Sequence, residues 1–596
     1  MGVGHQRSVA GVKFYTRIND SEEPTMLSMP STPPLHYQSA PAAQVAQTAA
    51  AKGTARPSYG NNSHATQNSG QSTHKKSVGK SQTSTKATQK PENSHGKKQH
   101  KQPPKQIVKS HGYKYFIVDN HLLKPATVEK VVKAAKKPRA AVDALKNAYQ
   151  KHGYFLVALV GRERGHRVLL HVVEGKLTHI KGPNQMTRFF SGLKGNKALT
   201  HSDVIRHATL AQAYDATNGQ QPQIRFKPAP ETGGSTMKIS QKAMKHYQPV
   251  GASFTFGNVG NRYASRYLVQ GHVYVKSHGF TLKVHDSYGL TGLSNKTKGA
   301  YYNSPGADLS YVTPWGIYKL DYSHTKYQLG NAFAPLYPLG RITRYGINGT
   351  QLLHASPRTR WTLHEGFHRL KDTETVFGGA YSLRNQHYNV FKFGSDFSHR
   401  FGGLFNHAAS FSFGGNIKAG SPFGDSSGFP SPAPGNPSSA FTLYEGHASV
   451  TQVLPKNFRL KLNTSGQITT DTLPEYQQWV LGGLNNLTAY LPGTIVGDSG
   501  YLTRLSAQSP NWHPGPFTIS GKAFVEYGAA RYSFVPAKSH TWQSATDIGT
   551  SLSLSLPITK SSATVAYAHP INTKHLSHTT RHNQSAGVFF YLSQSF

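Results

Sequence analysis

From about residue 250 to the C-terminus, apolar and polar positions alternate one for one. Tyr318, Leu320 and Tyr322 interleave with Lys319, Asp321 and Ser323. Phe458, Leu460 and Leu462 interleave with Arg459, Lys461 and Asn463, and Leu552, Leu554 and Leu556 with Ser551, Ser553 and Ser555. At the C-terminus Ala586, Val588, Phe590, Leu592 and Phe596 share one parity. A period of two marks strands with one dry and one wet face, and Gly, Pro, Asn and Asp punctuate the runs as turns. Two architectures fit: a soluble all-β assembly, or a closed membrane barrel with lipid outside and water inside. At roughly 22 residues per strand and connection, this region supplies about sixteen antiparallel strands, an even number typical of outer-membrane barrels. The membrane barrel is the favoured reading.

Upstream the period changes to that of helices. Residues 113–181 read as β-α-α-β-β. After a strand over 115–123, Thr127 caps a helix with Val128, Val131, Val132 and Ala135 on one stripe. Pro138 opens a second helix whose inner face is Ala141, Val142, Leu145, Ala148 and Tyr149, and Gly153 ends it. Strands follow over 155–160 and 167–173. Residues 182–247 read as a weaker copy: Thr200 or Ser202 caps a helix with Val204, Ile205, Ala208 and Ala211 inward, then come short strands at 224–226 and 237–239. Small sheets with open edges suit receipt of an extended peptide as an added strand; they serve equally as spacers.

Composition sharpens this picture at the N-terminus. Residues 1–112 hold 15 Lys and Arg against 4 acids, and 41–109 are mostly Ala, Gln, Ser, Thr, His, Lys and Pro. Such a segment buries too little apolar surface to offset chain entropy and is expected to be a disordered basic extension. It lacks the aromatic interleaving of a nucleic-acid binder, so no nucleic-acid partner is expected. Residues 1–10 show no apolar core of a secretory signal, which leaves a misassigned start or an incomplete precursor as explanations. The whole chain carries a formal charge of +40, with 31 Tyr, 29 Phe and no Cys. Disulfides, Cys-based zinc sites and thiol nucleophiles are thereby excluded. No run approaches the ~18 apolar residues of a membrane helix.

Several passages resemble the outer-membrane transporters of two-partner secretion, the haemolysin-activator type within the Omp85 superfamily. Tyr149-Gln-Lys-His-Gly153-Tyr154, followed by Val172-Val-Glu-Gly-Lys-Leu-Thr-His-Ile180, is similar to that family's first POTRA domain. Asn258-Val-Gly260 resembles the start of its barrel, and Ser310-Tyr-Val-Thr-Pro-Trp-Gly-Ile-Tyr318 an early hairpin. Leu481-Gly-Gly-Leu-Asn-Asn-Leu-Thr-Ala-Tyr490 and Gly497-Asp-Ser-Gly-Tyr501 are the most specific. The resemblance implies POTRA domains at 113–181 and 182–247 in the periplasm and a sixteen-stranded barrel at 248–596 in the bacterial outer membrane. It implies export of one large exoprotein, an adhesin or haemolysin, without nucleotide hydrolysis. The implied partners are that exoprotein, lipid and lipopolysaccharide, and the barrel-assembly machinery, for which terminal Phe596 is the signal. Rival readings are a barrel-assembly factor and a passive porin or surface adhesin.

The resemblance also places Leu487, Thr488, Ala489 and Tyr490 at a loop tip folded into the lumen. In the family this tip carries an Arg that meets an Asp on the barrel wall. Here Thr488 replaces the Arg and Glu526, in Phe524-Val-Glu526-Tyr-Gly528, replaces the Asp. Glu526 is therefore expected to accept bonds from loop groups or from a basic neighbour, Arg504 or Arg531, unless it is simply a lumen acid. The exoprotein is expected to meet the first module's helix from Pro138 to Tyr149 and its strand over 155–160 through Val142, Leu145, Tyr149, Tyr154, Phe155 and Val157, and the second module's helix through Val204 and Tyr214.

One motif points elsewhere. His364-Glu-Gly-Phe-His368 matches the HExxH of zinc proteases, which requires both imidazoles on one helical turn. The flanks read as strand, where the two rings stand ~13 Å apart, too far for one ion. There is no P-loop and no nucleophile elbow. No catalytic residue, metal or cofactor is expected.

Overall fold

The computed structural model describes residues 13–14, 105–229, 233–404, 407–535 and 542–596. The expected disorder over 1–112 lies outside these residues except at 13–14 and 105–112. Order is in place from Lys105: Lys105–Ser110 pairs antiparallel with Tyr113–Val118, turning Val108 inward. Only two apolar residues between lysines carry this strand, too few to show as a pattern.

The first α/β unit has the sheet order Val157–Arg164, Arg167–Glu174, Tyr113–Val118, Lys105–Ser110. The short strand Lys13–Phe14 lies outside Val157–Arg164. Helices Pro125–Lys133 and Pro138–Lys151 cover one face. Each begins on proline, whose missing N–H costs nothing in a first turn. Lys124, not Thr127, occupies the first N-cap. Val128, Val132, Val142, Leu145 and Tyr149 pack on Tyr115, Ile117, Val168, Leu170 and Val172.

The second unit is a three-stranded sheet, Lys176–Lys181, Gly234–Ala243, Gln220–Pro228, under helices Asn184–Phe190 and His201–Ala216. Thr200 forms a capping box with Asp203 at the start of the longer helix. Met186, Phe189, Phe190 and Met237 complete its core.

Beyond Val250 the chain closes into an antiparallel barrel. Tyr301–Asn303 and Gly306–Val312 are two halves of one wall strand, so the wall has sixteen strands. The last, Val588–Ser595, pairs with the first, Val250–Gly257. Asn258 extends this short seam with its side chain, donating to Val588 O at 2.8 Å and accepting from Phe590 N at 2.7 Å. The alternation is resolved as expected for a lipid-facing wall: Leu320 and Leu552 stand 53% and 57% exposed, while their polar neighbours Asp321 and Ser551 face inward or pack.

Candidate export pore

The lumen is polar and charged. Arg344 pairs with Asp321 at 2.8 Å, Lys319 with Asp308 at 2.9 Å and Lys418 with Glu445 at 2.6 Å. Into it folds the connection 469–498. Its stem is a two-stranded hairpin of Trp479–Leu481 with Ile495–Gly497. Asp498, fully buried, fixes the stem by accepting from Leu473 N at 3.0 Å and from Ser533 N at 2.8 Å. This explains the acid in the Gly497-Asp-Ser-Gly segment. The tip turns sharply, with Gly482, Gly483, Asn485 and Leu487 all at positive φ. A Cβ on Gly482 would stand 2.0 Å from Leu491 O, so only glycine fits there.

The tip is held by main-chain groups. Thr488 N donates to Glu526 Oε2 at 2.6 Å, and Ala489 N donates to Asp547 Oδ2 at 2.7 Å. Thr488 Oγ1 turns inward and accepts from Asn485 N at 3.1 Å. The cation comes from the wall: Arg504 forms an ion pair with Glu526 Oε1 at 2.9 Å and donates to Asn485 Oδ1 at 2.6 Å. Its guanidinium lies 4.1 Å from the centre of the Phe524 ring, a cation–π contact that helps hold it in plane. Arg504, Glu526 and Asp547 are direct register neighbours on strands Ser499–Gln508, Thr518–Arg531 and Gln543–Leu556. Three adjacent strands thus present cation, acid, acid in one row. Arg531, the other basic neighbour considered, stacks on Trp542 instead.

Leu487, Ala489 and Tyr490 are buried with Leu481, Ile495 and Phe524. Leu491 joins a second cluster with Tyr302, Tyr327, Leu329 and Phe589. Two further main-chain bonds, Leu491 N to Gln584 O and Ala586 N to Ala489 O, tie the loop to the last connection. The loop's root is anchored across the lumen. There Arg384 pairs with Asp372 at 3.0 Å, with Glu374 at 3.3 Å and with Glu475 of the loop. Sequence reasoning did not find Asp547, Arg384 or Glu475. The available signal for Asp547 was parity: it is an acid on the inward register of an otherwise apolar-patterned strand.

At the opposite mouth the second α/β unit docks on the barrel turns. Thr217 Oγ1 accepts from Gly279 N and Asn218 Oδ1 from His278 N, each at 2.6 Å. Ser202 Oγ donates to Ala355 O at 2.8 Å. Gly279 sits at φ 86°, and a Cβ there would be 2.5 Å from the Tyr214 ring.

The residues expected to contact the exoprotein are placed by this packing in two cores and at a joint. Val142, Leu145, Tyr149 and Val157 are core of the first unit, and Val204 and Tyr214 are core of the second. Phe155 stacks edge-on against Phe226 at 5.0 Å, while Tyr154 bridges to Thr200, so both build the joint between the units. The reason is general: the stripe at helical spacing is the face a helix buries, not the one it offers. Tyr149 also donates to Asn120 Oδ1 at 2.5 Å and lies 3.2 Å from Glu174; burial, then that carboxylate, push its hydroxyl pKa up. Phe596 is exposed at the barrel's near end, its N–H bonded to Ala252 O.

The HExxH sequence lies in the strand Thr359–Val376. His364 and His368 share one face and Glu365 takes the other, so no base can serve a metal held by the pair. His364 Nε2 instead meets Asp396 at 2.6 Å, and His447 meets the same carboxylate at 3.2 Å. Among the described residues, no cluster of three His, Cys, Asp or Glu could hold a metal ion.

Comparison with known proteins accords with this architecture. The family model described as haemolysin secretion/activation protein ShlB/FhaC/HecB matches residues 233–556, more than half of the chain. The solved structure of CdiB from Escherichia coli superposes with a TM-score of 0.66 at 15% identity, covering 84% of this chain and 93% of that one. CdiB from Acinetobacter baumannii gives 0.60 at 13% identity, covering 86% and 95%. The heme/hemopexin transporter protein HuxB of Haemophilus influenzae is 30% identical over 98 residues, which span 16% of this chain and 17% of HuxB.

Proposed function

The chain belongs to the haemolysin secretion/activation family ShlB/FhaC/HecB, two-partner secretion transporters of the Omp85 superfamily, and from that premise we propose that it exports one large partner exoprotein, of adhesin or haemolysin type, through its barrel without nucleotide hydrolysis. The barrel lies in the outer membrane. The two α/β units are POTRA domains, 113–181 and 182–247 by sequence with Lys105–Ser110 added to the first, and they face the periplasm at the mouth where they dock. The observation that carries this reading is the anchored loop. Thr488 and Ala489 are bonded to two wall carboxylates inside a closed polar lumen, and the loop they belong to, packed through Leu487, Tyr490 and Leu491, fills the path as a plug that an entering chain displaces. Released chain folding outside supplies the direction of transport. Phe596 at the strand terminus serves as the recognition signal for barrel-assembly machinery, and the outward apolar wall meets lipid and lipopolysaccharide.

The test compares secreted proteins of the native host with and without the gene. Loss of one large exoprotein from the medium is the expected result. A general fall of outer-membrane proteins would instead identify an assembly factor, and a changed solute permeability with an intact secretome a passive pore.

A further inference from the structure

The helices of the first α/β unit cover one face of its sheet, and the register organises the other. Lys109 lies opposite Lys114, Lys114 opposite Arg167, and Arg167 opposite Arg164. Four cations thus form one row across four strands, all exposed. Like charges directly opposite one another destabilise a sheet, so the row lowers the stability of the unit that carries it. The next row, two residues along each strand, is Ile107, Phe116, Leu169 and Arg162. Ile107 is 51% and Leu169 40% exposed. Lys105 and Lys114 stand 4.9 and 5.3 Å from the centre of the Phe116 ring. The ion pairs of this unit stand off the cationic row: His121–Glu174 and Lys133–Glu129 lie apart, and His171–Asp119 is one row beyond Leu169 on the same face.

We propose that this open sheet face, a cationic row beside an apolar row, is the docking surface for an acidic, apolar-bearing extended segment of the exported protein. Charge complementarity selects the occupant. The chain's own residues 1–104 carry 13 Lys and Arg against 4 acids, a poor match to a cationic row, and their Lys13–Phe14 strand adds to the edge of the sheet rather than covering this face. Adjacent rows on one face are ~7 Å apart, so a single extended segment lying along them can turn one side to the cations and the other to the apolar row. Acids along one side of such a segment meet the cations while its apolar side chains cover Phe116 and Leu169. The inference rests on the export reading and assigns its first contact to the sheet face rather than to the buried helix stripe.

The test uses the full chain in detergent and a fluorescein-labelled peptide of alternating Glu and Val. The expected result is salt-sensitive binding, weakened roughly tenfold in the double variant Lys114→Glu/Arg167→Glu. A Lys–Val peptide should show the reverse preference. Both positions are exposed, and intact barrel strands in circular dichroism check the fold. Equal binding by the variant, or binding of phosphatidylglycerol vesicles in place of the peptide, would overturn the assignment. In host cells, wild-type secretion by the variant beside lost secretion on gene deletion refutes the surface while leaving export standing. An unchanged secretome on deletion refutes export, and the surface with it.

Discussion

Exchanging Glu526 for Gln probes the loop anchor with almost no change of shape. Glu526 is fully buried, receives the Thr488 N–H at 2.6 Å and pairs with Arg504 at 2.9 Å. Glutamine keeps an acceptor for Thr488 but leaves the arginine without its register partner. Breaking a buried pair by removing one charge costs about 3–5 kcal/mol. Arg504 retains Asn485 Oδ1 and the nearby Asp547, which argues for the lower end, about 3 kcal/mol. That pair joins two wall strands and stands whether the loop is in or out, so its loss is read in the barrel's heat resistance. The loop itself loses the charge assistance of the Thr488 bond, about 1 kcal/mol. At about 1.4 kcal/mol per decade, its open fraction should rise roughly fivefold. Planar-bilayer recordings read this as frequent large openings from a channel that is otherwise mostly shut. A companion exchange, Thr488→Arg with Arg504→Thr, returns the cation to the loop and should recover part of the closed state. If Glu526→Gln leaves both the conductance record and the heat resistance of the barrel at wild-type values, the anchoring role assigned to this carboxylate is wrong.

Other consequences follow from the same geometry. Arg384→Met leaves three carboxylates, Asp372, Glu374 and Glu475, without their shared cation, and should lower the temperature at which the barrel loses its folded electrophoretic mobility. Gly279→Ala drives a methyl into Tyr214 at a positive φ; faster hydrogen exchange in His201–Ala216, with the barrel unchanged, is the expected signature of undocking. His207 of the second unit has its pKa lowered, first by burial and then by Arg206. It binds fewer protons folded than unfolded. The unit should therefore keep full stability above the ordinary histidine value of about 6.5 and lose it as pH falls below, and His207→Gln should flatten that profile in hydrogen exchange.

Much of this molecule is written locally. A period of two over the last 350 or so residues requires strands with one wet and one dry face, and strand length with turn spacing gives their approximate number. Pro138 and Thr200 start helices wherever the surrounding chain goes, because a missing N–H and a capping hydroxyl act within one turn. The stripe Val142, Leu145, Tyr149 was equally legible, and the structure packs it as core, a use of the face opposite to the exoprotein contact expected of it. Residues that meet only through register were legible at most as candidates, as Arg504 was for Glu526, and Asp547 not at all. Arg504, Glu526 and Asp547 are separated by about twenty residues each, and pairing alone makes them neighbours. The missing loop arginine and two basic candidates to partner Glu526, Arg504 and Arg531, could be named from the sequence, but the choice of Arg504 needed the strand alignment. The same holds for Lys109, Lys114, Arg167 and Arg164, unremarkable surface cations until four strands set them in a row. The sequence by itself determined the elements and which face of each is apolar, since those follow from backbone periodicity. Only the tertiary structure decided which charges share a site, because the distance between charges depends on pairing across the fold rather than on position along the chain.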